Sequence, residues 1–138
     1  MYKIEFPYKE DSDFVKILKL IENYAWMLNW YIYEINAISK EGSDILAGDL
    51  SKKALNSSCG VKVDWSELKR IGNGLLQVVD GVFIGTEKNY NEITIEQVVS
   101  NDSPFQLLIE CKDTFSWSIS SSNIEVIQII KNNFQKWS

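Results

Sequence analysis

The sequence contains no histidine at all. That removes the side chain most used for proton transfer near neutral pH, and with it His-based triads and His metal ligands. Arginine occurs once, at Arg70. Nucleic-acid binding relies on clustered Lys and Arg to displace counterions from phosphates, so a nucleic-acid partner is not expected. There are two cysteines, Cys59 and Cys111, fifty-two positions apart and outside any CxxC pair. They predict reduced thiols in a cytoplasmic protein, with neither a disulfide framework nor a zinc or iron–sulfur site. No run of about 18 apolar residues exists, so no membrane span is expected. The opening Met1-Tyr2-Lys3-Ile4-Glu5-Phe6 carries acid early and does not read as a signal peptide.

What is present suits a core. The chain has 138 residues, 45 % of them hydrophobic, with five tryptophans. That length predicts a single domain over residues 1–138, large enough to bury about two-thirds of its unfolded surface without metals or crosslinks. The charge is uneven. Between Asp80 and Asp113 lie seven acids against two lysines, an excess of −5 that equals the net charge of the whole chain. Such a field favours a basic partner.

Periodicity supplies the elements. Tyr2, Ile4, Phe6 and Tyr8 alternate with polar neighbours and predict a strand, placed at an edge or ended by Pro7, which cannot donate to a ladder. Ser12 then precedes Phe14, Ile17, Leu18 and Ile21 at helical spacing, predicting a helix from Asp13 to Tyr24. From Trp26 to Ile38 the aromatic and β-branched texture predicts a strand buried on both faces, with a continued helix as the competing reading. Lys40-Glu41-Gly42-Ser43 is a turn, and Asp44 to Ser58 reads as helix or loop. Val61 to Val63 predicts a short strand. Asp64-Trp65-Ser66-Glu67 opens a helical segment that closes near Gly72-Asn73-Gly74. Asp80-Gly81, between Leu75–Val79 and Val82–Ile84, predicts a two-residue hairpin. A second hairpin turns at Lys112-Asp113 between Phe105–Cys111 and Thr114–Ile119, with Phe115, Trp117 and Ile119 on the apolar side of its second arm. Ser122-Asn123-Ile124-Glu125 fits a capping box for a last helix, whose stripe is Ile124, Ile127, Ile130, Phe134 and Trp137. The fold class predicted is α+β: an antiparallel sheet, helices packed mainly on one face, and a closing C-terminal helix.

Catalytic signals are thin. Cys59 follows Ser57-Ser58 with Lys62 as its nearest cation, too little to make a reactive thiolate. Gly72-Asn73-Gly74 lacks the remainder of any phosphate-binding fingerprint. The carboxylate pairs Glu110/Asp113 and Glu92/Glu96 read as solvated charge. No catalytic residue, cofactor or metal is assigned. The dense aromatics Trp26, Trp30, Tyr31 and Tyr33 belong either to the core or to an exposed patch, since Trp and Tyr dominate interface hot spots.

The run Phe105-Gln106-Leu107-Leu108-Ile109-Glu110-Cys111-Lys112-Asp113, then Phe115-Ser116-Trp117-Ser118-Ile119 and the capped helix to Trp137, forms a strand–turn–strand–helix ending. In that ending, in size and in acidity the chain resembles the small acidic immunity proteins that bacteria keep beside polymorphic or contact-dependent toxins. The resemblance implies a non-catalytic protein that covers a basic nuclease or other toxin domain. On that reading Glu87, Glu92, Glu96 and Asp102, in the least regular part of the acidic segment, meet the partner. A small enzyme using carboxylates or Cys59, and a subunit pairing through its first strand, are the alternatives.

Overall fold

A computed structural model describes residues 1–57, 59–87 and 105–134. Six strands and four helices are found among them: β1 Tyr2–Pro7, α1 Asp13–Ala25, β2 Asn29–Ser39, α2 Ala47–Leu55, β3 Val61–Val63, α3 Trp65–Gly74, β4 Leu75–Thr86, β5 Leu107–Lys112, β6 Ser116–Ser121 and α4 Ile124–Phe134. The strands make one sheet in the order β1-β6-β5-β4-β2-β3, and every neighbouring pair is antiparallel. The α+β class and the closing helix are as expected.

Side-chain alternation decides which face is covered. Phe6, Trp30, Ile32, Phe83, Ile109, Trp117 and Ile119 point to one side of the sheet. There they meet Phe14, Ile17 and Ile21 of α1, Leu68 and Ile71 of α3, and Ile130 and Phe134 of α4. Aromatic rings organise this core: Phe14 lies 4.7 Å from Phe83 and 5.8 Å from Trp117, centroid to centroid, and Phe6 lies 4.5 Å from Phe134. On the opposite face a smaller cluster joins Tyr31, Tyr33, Ile84, Phe105 and Leu108. The strand expected to be buried on both faces is therefore β2, through Trp30–Tyr33. Beyond a bulge at Tyr33 its far half turns wet, with Glu34 and Asn36 exposed.

Local chemistry explains the boundaries. β1 is an edge strand, and Tyr8 N–H donates to Phe115 O at 2.9 Å across it and the start of β6. Alternation from that bond turns the Pro7 nitrogen away from β6, where the missing donor costs no ladder bond. Before α1, the buried Asp13 carboxylate accepts from Lys9 N–H (2.8 Å) and Glu10 N–H (3.3 Å), so this acid holds the incoming loop. At α3, Asp64 caps the helix by accepting from Glu67 N–H at 2.7 Å. The β5–β6 turn places Asp113 and Thr114 at φ +53° and +54°. Two successive positive φ values match the twist of a tight hairpin, and Asp80 steadies this one by accepting from Asp113 N–H at 2.9 Å.

Four expectations need correction. No hairpin forms at Asp80-Gly81; β4 runs unbroken from Leu75 to Thr86, pairing with β2 along its length and with β5 over its second half. Gly81 is there for space, because a Cβ would lie 2.5 Å from Cε2 of Phe83. Trp26 lies outside the strand, which begins at Asn29. Phe115 sits in the turn and is exposed rather than on the apolar side of β6. At α4 the cap is Asn123, whose Oδ1 accepts from Glu125 N–H at 2.9 Å. The buried face of α4 accordingly runs through Val126, Ile127, Ile130 and Phe134, leaving Ile124 exposed. Trp137 lies outside the described residues.

Candidate protein-binding surface

One end of the molecule gathers exposed apolar and acidic groups, and it is built from five chain segments. α1 stops when Trp26 N–H closes on Glu22 O (3.1 Å) and Leu28 N–H closes on Ala25 O (3.1 Å). Ala25 and Leu28 are thereby pinned inward, and Trp30 follows them, fully buried with its Nε1 donating to Ala25 O at 2.9 Å. The two residues between have nowhere to bury. Trp26 is 59 % exposed and Met27 63 %. Exposed large apolar side chains set side by side are the usual mark of an interaction surface.

The sheet brings acid to the same end. Glu87 leaves β4 here, fixed through its backbone: its N–H donates to Gln106 Oε1 at 2.5 Å and its carbonyl accepts from Asn29 Nδ2 at 3.5 Å. Gln106 in turn donates its N–H to Gly85 O (2.9 Å) and accepts from Ser122 N–H (3.2 Å). These bonds fix the backbone, and the Glu87 side chain is exposed. Across the way Tyr24 donates its hydroxyl to Glu125 Oε2 at 2.8 Å, tying α1 to α4. That bond to a carboxylate, with desolvation second, raises the Tyr24 phenol above its ordinary range. Between α1, α4 and the strand ends opens a cleft of about 240 Å³, lined by Met27, Leu28, Leu107 and Val126 and by polar residues that include Glu87 and Asn123.

Of the four acids expected to meet a partner, Glu87 stands exposed at this surface. Glu92, Glu96 and Asp102 lie outside the described residues. Trp30, Tyr31 and Tyr33 prove to be interior, so the aromatic cluster divides and Trp26 alone is exposed. Met27 escaped sequence reasoning; its signal was the apolar pair wedged between Ala25 and Leu28, both at inward helical spacing.

The other candidates lie elsewhere in the fold. Cys111 is buried against Val78 and Val79 carbonyls, and burial pushes its thiol up to about 12. Cys59 is half-buried in the loop before β3, its N–H donating to Ser57 Oγ at 3.4 Å. Gly74 ends α3 where a Cβ would lie 2.3 Å from Ile45 Cγ1, so close packing explains the Gly72-Asn73-Gly74 run. A broader trough of about 720 Å³ crosses the 40–44 loop and α3, and two of its cations are already engaged. Arg70 holds Asp44 (2.7 Å) and Glu67 (2.6 Å), and Lys69 holds Glu22 (2.7 Å). Among the described residues no three His, Cys, Asp or Glu side chains are grouped to hold a metal ion. None of the described helices is long and apolar enough to cross a membrane.

Comparison with known proteins adds no relative. No family model matches the chain, no curated protein matches it, and no solved structure matches it.

Proposed function

We propose that this chain is a non-catalytic protein-binding module of the immunity type, neutralising a basic toxin or nuclease domain in the cytoplasm. The observation that carries the reading is the exposure of Trp26 and Met27 at the end of the molecule where Met27 and Glu87 line one cleft. Aromatic anchors of this kind supply most of the affinity at protein interfaces. The acid excess between Asp80 and Asp113 supports a basic partner and fast, salt-sensitive association. On this reading Glu87, Glu92, Glu96 and Asp102 steer the partner, while Trp26 and Met27 seat against it.

The test is capture by the tagged chain from lysate of its source organism, followed by titration with the purified captured protein. Direct binding to one basic protein, weakened at least tenfold by Trp26→Ala and slowed by Glu87→Lys, is the expected result. Both positions are exposed, so neither change should unfold the chain. Equal binding by wild type and both variants would overturn the assignment of this surface. A partner with no inhibited activity would overturn the immunity form of the reading.

A further inference from the structure

We propose that the cleft between α1 and α4 is a socket for one long cationic side chain, lysine or arginine, presented by a basic protein. This rests on the reading of the surrounding surface as protein-binding and names what that surface selects. Its size, about 240 Å³, falls short of the roughly 300–1,000 Å³ usual for small-molecule pockets and suits a side chain. Its apolar lining comes from Met27, Leu28, Leu107 and Val126, set among asparagine, serine, glutamine and tyrosine side chains. A lysine or arginine stem packs well on such a surface while its head stays at the rim.

Charge selects the head. Glu87 is the one charged residue among the described residues lining the cleft; its side chain is exposed, and its backbone is fixed there by bonds to Asn29 and Gln106. The amino end of α4 also faces the cleft, and a helix amino end disfavours cations. Here two of its donors are already engaged: Glu125 N–H on Asn123 Oδ1 (2.9 Å) and Val126 N–H on Asn123 O (3.2 Å). Glu125, in the first turn, offsets the remaining dipole. Apolar lining residues and a single charged group, an acid, together match a cation carried on an aliphatic stem.

The experiment is an NMR titration of the full chain, following the methyl groups of Met27, Leu28, Leu107 and Val126. The probes are n-butylguanidinium, guanidinium and 1-butanol, which supply stem with charge, charge alone and stem alone. Saturable shifts of these methyls by n-butylguanidinium are expected, with the other two probes binding at least tenfold more weakly. Glu87→Gln should weaken n-butylguanidinium about tenfold, and its unchanged amide spectrum shows that the fold is kept. Equal binding of 1-butanol, absence of saturable shifts, or indifference to Glu87→Gln would each overturn the socket. Because no partner protein enters this titration, its failure is separate from failure of Trp26-dependent capture.

Discussion

Replacing Trp30 and Trp117 by phenylalanine, one at a time, sets a buried indole that is hydrogen-bonded against one that is not. Both side chains are fully buried in the same core. Trp30 Nε1 donates to Ala25 O at 2.9 Å, whereas Trp117 Nε1 has no partner among the described residues. Shrinking either ring leaves a small void, and transfer plus cavity cost about 1–2 kcal/mol, a fraction of the 3–5 for complete removal. Stacking partly survives in both cases, since phenylalanine at 117 still faces Tyr8 and Phe14. The polar terms then diverge. Trp30→Phe also forfeits a hydrogen bond with a net value of about 1 kcal/mol. Trp117→Phe removes a buried, unsatisfied donor, which returns about 1–3 kcal/mol. Trp30→Phe should therefore destabilise by about 2–3 kcal/mol and Trp117→Phe by less than about 1. Urea unfolding followed by far-UV circular dichroism reads the difference as a shift in midpoint at constant slope. In thermal melts it should be roughly 6 °C. Equal losses from the two substitutions would refute the reasoning, because burial is matched and only the hydrogen bond differs.

Three further outcomes follow from other parts of the molecule. Glu22 accepts from Lys69 Nζ (2.7 Å) and Trp65 Nε1 (3.0 Å), and these bonds, Lys69 first, hold its carboxyl below the usual range. A folded pKa below the unfolded one gives stability that is complete above the unfolded value and lost as pH falls through the folded one. The urea midpoint of wild type should thus decline below about pH 4, and that of Glu22→Gln should decline less; parallel curves would refute the α1–α3 link. Cys111, its thiol raised to about 12 by burial, should resist iodoacetamide in the native state and react on unfolding, as peptide mass mapping would show. Rapid native labelling at Cys111 would contradict its placement. Gly81→Ala should cost about 1–3 kcal/mol through overpacking against Phe83. If Asp80-Gly81 were an exposed hairpin turn with room for a side chain, the loss would vanish in the same urea assay.

Much of this fold was legible in the residues because three of the four helices and most strands carry their own period, whereas α2, Ala47–Leu55, lay in a stretch that read as helix or loop. Phe14, Ile17, Leu18 and Ile21 marked α1 and Asp64 marked the start of α3, since helical spacing and capping are local properties. The β5–β6 turn was likewise local, although it falls at Asp113-Thr114 rather than Lys112-Asp113, since Lys112 still pairs with Ser116 in the ladder. Asp80-Gly81 misled because the dipeptide that favours a turn also fits a strand interior, where β2 and β5 flank it and only glycine leaves room for Phe83. Ser122 yielded the cap to Asn123 for a similar reason: two good capping residues stand in a row, and Ser122 N–H is committed to Gln106 O.

The candidate surface divides the same way. The sequence by itself determined that the chain is acid-rich between Asp80 and Asp113, lacks histidine, and holds a dense aromatic run after α1. Those are properties of composition, and no fold could change them. Only the tertiary structure decided that Trp30, Tyr31 and Tyr33 are interior while Trp26 is not. It alone brought Met27 beside Glu87, sixty positions away in the chain. The physical reason is that burial belongs to a face, and a face exists only once α1 ends, β2 begins and the ends of β4, β5 and β6 arrive next to them.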